Sequence, residues 1–329
     1  MLILNADEVR KALPMQEVVQ AMKRAYADLS DGRAEVPLRS RLRVEPHDGL
    51  ALFMPAYVSD SDHEALAVKV VSLFPGNPAR GLAYIQAAVM VLEPDTGRPV
   101  GLLEGSSLTA IRTGAAGGAG VDLLSRPESH TLAVFGAGVQ ARTQVEAACA
   151  VRQIHTLWIR DPVEEGARRL ARDLSETGFA PPDIRIASSS EQALETADVI
   201  CTATTSTLPV FEDAHVNSGT HISAIGSYSP EMQEIPAETV LRARVFVDSR
   251  SAALAETGDL IQPIQAGLMG PDHIAGEIGQ LVRGLLAGRQ TKDQITLFKS
   301  VGIAIQDAAA AALAIRNARA MGIGQEISF

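Results

Sequence analysis

Residues 136–141 read Gly-Ala-Gly-Val-Gln-Ala, a G-x-G-x-x-A pattern. The pattern directly follows an apolar run, Thr131–Phe135, and opens a stretch of helical character reaching about Val151. In that setting the glycines allow a tight turn and let the backbone approach a pyrophosphate. The new helix offers its first N–H groups and the positive end of its dipole, and small Ala141 lets helix and strand sit close. A second apolar run, Thr156–Arg160, ends at Asp161, 25 residues past Gly136. That is near the ~20-residue offset of an acid that hydrogen-bonds a ribose 2′-OH. Strand, turn, helix, strand and acid fall in the order a dinucleotide site needs, for NAD(H) or NADP(H). Asp161 favours the free 2′-OH, whereas Arg160 beside it can pair a 2′-phosphate, so the residues leave that choice open.

A second group of candidates is cationic and lies upstream. Lys69 sits within LAVKVV, where burial of an ammonium is costly unless an anion or carboxylate compensates it. Arg112 lies in the Ala/Gly-rich stretch LTAIRTGAAGGAG, and Arg39 and Arg41 flank Ser40. One lysine with one or two arginines suits the carboxylate of a small substrate, arginine offering a two-pronged contact. A partly buried lysine can also exchange a proton near neutral pH. Other chemistries find no residues. There is no Gly-Lys dipeptide for a P-loop and no G-x-S-x-G elbow. The seven histidines (47, 63, 130, 155, 215, 221 and 273) show no i, i+4 pair, so no metal site is expected.

Composition sets the frame for these sites. Of 329 residues 46% are hydrophobic and only 4% aromatic, so the cores must be built from Ala, Val, Leu and Ile. Asp and Glu number 39 against 29 Lys and Arg, a net charge of −10, which argues against nucleic acid as a partner. No apolar run is long enough for a membrane span, and MLILNADEVRKAL lacks the basic-then-apolar signal pattern. Two cysteines, Cys149 and Cys201, form no disulfide framework and suit a reducing, cytoplasmic compartment.

The first 35 residues carry apolar positions at helical spacing, with Gly32 as the expected end cap. From Val36 to Leu103 short β-like runs are separated by HDG, SDSD, PGNPARG and DTG, which predicts an antiparallel sheet or partial barrel. A helix is expected over about Ser107–Leu124. After Thr131, continuous apolar strands alternate with helices, the pattern of a doubly wound parallel sheet of Rossmann type. A long Ala-rich helix is expected from Phe298 to Gly322. The expected fold class is therefore α/β: a Rossmann domain over 125–299 and an α+β domain over 1–124, completed by 300–329.

Several motifs in order resemble the ornithine cyclodeaminase/μ-crystallin family over essentially the whole chain. They are PLR at 37–39, MPAY at 54–57, the Lys69 strand, LTAIRTGAA at 108–116, GAGVQA at 136–141 and ADVICTATTS at 197–206. IGSYSPEMQE at 225–234, VDS at 247–249, ETGDL at 256–260, EIG at 277–279 and FKSVGIAIQD at 298–307 follow. The resemblance implies a homodimer whose first domain carries substrate-binding and dimer contacts. It places substrate contacts on Arg39, Lys69, Arg112 and Val301. Cofactor contacts fall on Arg112, Thr113, Gly136, Gly138, Val139, Gln140, Arg160, Asp161, Thr202, Ile225, Gly226, Ser227 and Ser300. Arg41 has no counterpart in the motifs. Tyr228 stands where ornithine cyclodeaminases carry an aspartate, and Met232 where a lysine follows. A tyrosine cannot hold a second ammonium by charge, but it can give a hydrogen bond or a proton. The resemblance thus implies an NAD(P)H-dependent reductase of a small or cyclic α-imino acid, with Lys69, Arg112 and Tyr228 as its catalytic groups. An alanine-type dehydrogenase, an ornithine cyclodeaminase and a non-catalytic NADPH-binding protein are the alternatives.

Overall fold

The structure, a computed structural model, describes residues 1–59 and 64–328. The turn expected at residues 59–62 lies for the most part outside the described residues, as does His63. The chain divides into two units, residues 1–112 with 303–329 and residues 113–302.

The first unit opens with a strand and not with a helix. Leu2–Leu4 form β1, and Asn5 then caps α1 (Ala6–Ala12) by accepting the N–H groups of Asp7 and Glu8. Pro14 separates α1 from α2 (Met15–Ser30), because the residue before a proline is steered out of the helical region. Helix α2 ends at Ser30 with Asp31 as C-cap, and Gly32 follows in the left-handed region at φ +71°, the glycine cap that the sequence predicts. Val18, Val19, Met22, Ala25 and Tyr26 form its buried stripe. Then come β2 (Ala34–Glu35), β3 (Ser40–Val44), β4 (Gly49–Val58), β5 (Ala65–Leu73), β6 (Ile85–Leu92) and β7 (Pro99–Glu104). Helix α3 (Gly105–Leu124) leads out of the sheet, and the passage from one unit to the other falls within it.

The second unit runs β8 (Thr131–Phe135), α4 (Val139–Val151), β9 (Thr156–Arg160), α5 (Glu164–Ser175), β10 (Asp183–Ile186), α6 (Ser190–Leu194) and β11 (Val199–Thr202). It continues with β12 (His221–Ala224), α7 (Ala237–Arg242), β13 (Arg244–Val247), α8 (Arg250–Glu256), α9 (Gly258–Gln265), β14 (Ile274–Glu277), α10 (Ile278–Val282) and β15 (Thr296–Lys299). All neighbours are parallel, in the order β10-β9-β8-β11-β12-β15-β13-β14. This is the expected doubly wound sheet. The chain leaves β8 in one direction through β9 and β10 and returns to its other side at β11, so the switch point lies between β8 and β11. Alternate residues of β8 feed two cores: Leu132 and Val134 join one apolar cluster, Ala133 and Phe135 the other. In α3, a Cβ on Gly114 would lie 2.5 Å from the Thr143 carbonyl oxygen, so glycine there permits α4 to approach.

The expected C-terminal helix starts six residues late, because Phe298 belongs to β15. Helix α11 (Ala304–Met321) returns to the first unit, packs on α2, β4, β5 and β6, and ends at left-handed Gly322. Strand β16 (Gln325–Glu326) follows. The sheet of the first unit has the order β16-β1-β7-β6-β5-β4-β2, with β3 also paired to β4. It is antiparallel apart from β1–β7, and its path through the described residues is open.

Candidate functional site

Lys69 lies in the middle of β5, opposite Met54 of β4 and Val89 of β6, and is 2% exposed. Alternation along the strand turns it to the face where Ala65 and Ala67 are also buried. The carboxylate required by such a lysine is Asp307, in the first turn of α11, with Lys69 Nζ 2.7 Å from Asp307 Oδ2. Arg112 reaches the other oxygen, its Nε 2.9 Å from Asp307 Oδ1, and its guanidinium also donates to Gln306 Oε1. Gln306 in turn donates to the Tyr26 hydroxyl and accepts from the Ile303 N–H. Two cations thus share one buried carboxylate. Burial and the Arg112 charge pull Lys69 down to about 8, Asp307 opposes them, and half-buried Arg39 adds to the lowering. The predicted cations Lys69, Arg112 and Arg39 are therefore electrostatic neighbours, and Arg41 lies exposed on β3. A formal +1 remains on the Lys69–Asp307–Arg112 group, which complements one incoming carboxylate.

In the second unit the expected nucleotide residues gather at the carboxyl edge of the parallel sheet. Gly136 follows β8 at φ +100°, where a Cβ would come within 2.6 Å of the Ala203 carbonyl oxygen. Gly138 is the N-cap of α4; no side chain caps that helix, and the space where its Cβ would stand is open. Val139 is 71% exposed beside it. This is a cradle of backbone N–H groups that fits a pyrophosphate. Asp161 follows β9, its Oδ1 accepting from the Val163 N–H at 2.8 Å, while Arg160 turns back onto the Asp161 carbonyl at 2.9 Å. Thr202 ends β11, Ile225, Gly226 and Ser227 follow β12, and Ser300 and Val301 follow β15. Thr113 accepts a hydrogen bond from Gln144 through its carbonyl. Tyr228, next after Ser227, is 45% exposed. Thr202, Ser227 and Ser300 are buried, and their hydroxyls are engaged within the protein.

Their partners went unassigned at the level of sequence. Glu234, fully buried, accepts from the Thr202 hydroxyl, from the Thr204 N–H and hydroxyl, and from the N–H groups of Gly226 and Ser227. Asp248, also buried, accepts through Oδ2 from the Ser300 hydroxyl and the N–H groups of Val301 and Gly302. Asp259 accepts the N–H groups of Glu234 and Ile235 and pairs with buried Lys299 at 3.1 Å. Burial raises the pKa values of Glu234 and Asp248, and Lys299 and the hydrogen bonds oppose it. Asp307, Glu234 and Asp248 all stand inside motif stretches, FKSVGIAIQD, IGSYSPEMQE and VDS. For Asp307 a further signal existed, since Lys69 demanded an anion.

Among the described residues no helix is long and apolar enough to cross a membrane. Residues 1–321 match the profile of the ornithine cyclodeaminase/mu-crystallin family. A Δ1-pyrroline-2-carboxylate reductase of Bacillus cereus is 39% identical, with both chains covered completely. The structure of the Thermococcus litoralis Δ1-pyrroline-2-carboxylate reductase, in complex with NADH and L-proline, superposes with a TM-score of 0.93 at 40% identity, covering 99% of this chain and 100% of that one. An archaeal alanine dehydrogenase dimer with bound NAD gives a TM-score of 0.91 at 32% identity, over 100% and 99% of the two chains. With its glycine turn, its switch point and this match over nearly its full length, the chain belongs to the ornithine cyclodeaminase/mu-crystallin family.

Proposed function

We propose that this chain is an NAD(P)H-dependent reductase of a cyclic α-imino acid, with Δ1-pyrroline-2-carboxylate, reduced to proline, as the leading substrate. The observation that carries this reading is the Lys69–Asp307–Arg112 group. It holds two cations on one carboxylate in a buried place and so offers one unit of positive charge to one substrate carboxylate. Arg112 and Arg39 hold that carboxylate and fix the orientation of the imine carbon. Lys69, with a pKa near neutrality, keeps a proton for the imine nitrogen. The Tyr228 hydroxyl is the second proton-handling group. The glycine turn, Val139, Gln140 and Asp161 hold the dinucleotide, which when bound supplies the hydride. Thr202, Ile225–Ser227, Ser300, Val301 and Thr113 shape the loops around it. The balance is one imine, one proton and one hydride to one amine. Buried Met232, in place of a cationic side chain, and Tyr228, in place of a carboxylate, both speak against a diamine substrate.

The chain acts as a dimer in this reading. Leu42, Phe53 and Val70 are exposed on β3, β4 and β5, and Phe53 and Val70 face each other across the β4–β5 pair. An outward apolar face of this kind needs a covering partner, and a second copy supplies one.

Absorbance at 340 nm, with NADH and NADPH run separately against Δ1-pyrroline-2-carboxylate, tests the proposal. Oxidation of either cofactor supports it. Ammonia released from ornithine with no net change in NADH overturns it. Turnover of pyruvate plus ammonia alone replaces it with the alanine-dehydrogenase reading that the archaeal relative favours.

A further inference from the structure

One buried carboxylate takes no part in the chemistry above, yet more hydrogen bonds converge on it than on any other acid at the carboxyl edge of the parallel sheet. Glu234 lies within no helix or strand and is 0% exposed. Its Oε1 accepts from the Thr204 N–H at 2.7 Å and the Thr204 hydroxyl at 2.8 Å. Its Oε2 accepts from the Thr202 hydroxyl at 2.9 Å, the Gly226 N–H at 2.7 Å and the Ser227 N–H at 3.1 Å. Thr202 ends β11 and Thr204 follows it, whereas Gly226 and Ser227 follow β12, and the two strands are parallel neighbours. One side chain therefore ties together the loops that leave neighbouring strands beside the switch point. Its own backbone is pinned on both sides, the N–H by Asp259 and the carbonyl by the Val210 N–H. Glycine at 226 is required by this arrangement, because a Cβ there would collide with Glu234 Oε1 and with the Thr204 carbonyl.

We propose that Glu234 is a positioning residue of the nucleotide site, fixing the Thr202–Thr204 and Gly226–Ser227 loops in the shape that receives the dinucleotide. The inference rests on the nucleotide-dependent reading above. Burying a carboxylate is less favourable than packing an apolar side chain of similar size, unless its geometry is needed. Here the geometry satisfies three backbone N–H groups and two hydroxyls at once, which no neutral side chain can do. A glutamine in its place has only one accepting oxygen. Its amide nitrogen must then face either the Thr204 donors or those of Thr202, Gly226 and Ser227.

Glu234→Gln and Thr204→Val test this by a fluorescence titration with NADH and NADPH, together with amide hydrogen exchange on the cofactor-free protein. For Glu234→Gln the dissociation constant of the nucleotide is expected to rise by roughly tenfold or more, the scale of a lost hydrogen bond to a charged group. The N–H groups of Thr204, Gly226 and Ser227 are expected to exchange faster by about the same factor, with β8 and β9 unchanged. At saturating cofactor the imine KM stays within about twofold, which separates positioning of the nucleotide from general loosening. Thr204→Val removes one donor and is expected to weaken nucleotide binding about threefold, and it decides the matter if the glutamine variant does not fold. Nucleotide binding unchanged in the folded variants overturns the proposal, as does unaltered exchange at those three amides. Failure of the unmodified protein to bind either nucleotide overturns the functional reading, and this inference with it.

Discussion

Replacing Lys69 with methionine keeps most of the side-chain volume and removes the ammonium. Asp307 retains Arg112 at 2.9 Å, so the variant leaves no orphaned carboxylate. Burial and the Arg112 charge lower Lys69 from 10.5 to about 8 in the folded chain. The folded state therefore binds the proton less tightly than the unfolded one, and below pH 8 Lys69 costs stability. At about 1.4 kcal/mol for each tenfold change in proton affinity, the drop from 10.5 to about 8 amounts to roughly 3 kcal/mol. That cost is fully present below pH 8 and fades as pH rises towards 10.5, where the unfolded chain also loses the proton. Between pH 7 and pH 10 the stability of the natural protein should therefore rise against that of Lys69→Met by about 2 to 3 kcal/mol. Urea unfolding of both proteins at the two pH values, followed by far-UV circular dichroism, measures the gap, and all other ionisable groups are common to both. A gap that is the same at pH 7 and pH 10, or one that moves the opposite way, refutes the picture of a buried ammonium held near neutrality.

Imine reduction should lose rate as pH rises through about 8, because the proton on Lys69 both attracts the carboxylate and reaches the imine nitrogen. Asp307→Asn removes the charge that holds the Lys69 pKa up, so the alkaline limb of kcat/KM should move to lower pH, and an unmoved limb counts against the pairing. Removing one partner from a buried ion pair costs about 3–5 kcal/mol, so the Tm of that variant should also fall. Gly136→Ala should abolish nucleotide binding and cost about 1–3 kcal/mol or more, because φ +100° and the Ala203 carbonyl both oppose a Cβ; titration with NADH and a thermal melt check it. Phe53→Glu should convert the proposed dimer, built on the outward sheet face, to monomer in sedimentation velocity, and an unchanged dimer places the contact elsewhere.

Much of the second unit was legible because its order is encoded locally. The run TLAVF is buried at every position, the glycines of the turn follow at once, and Asp161 closes the next strand. A parallel strand covered on both faces must be continuously apolar, and that is a pattern a single sequence displays. The first unit was less legible at its ends. Leu2–Leu4 is too short to show a period, and it becomes a strand only because β7 and β16 flank it. Phe298 runs without a break into the Ala-rich stretch, so the sequence alone predicts helix from it, whereas β12 and β13 claim Thr296–Lys299 as a strand. Both errors have one source: pairing across long sequence distance decides such segments, not local propensity.

The candidate site divides along the same line. Cations in apolar runs announce themselves, because a buried ammonium or guanidinium is conspicuous in LAVKVV or in LTAIRTG. The acids that make those positions tolerable do not. Asp307 sits 238 residues from Lys69 at the start of an alanine-rich helix; Glu234, in a loop stretch, and Asp248, directly after the apolar run of β13, take up loop N–H groups instead. Yet the burial argument fixes their existence: each charge or loop N–H removed from water demands a partner. Burial of Lys69 alone calls for an anion or carboxylate, and the fold supplies Asp307, shared with Arg112. That sharing is the feature on which the proposed carboxylate site rests. Two cations with two acids would be neutral and indifferent to a substrate carboxylate, whereas two cations on one acid leave a charge for the ligand to complete.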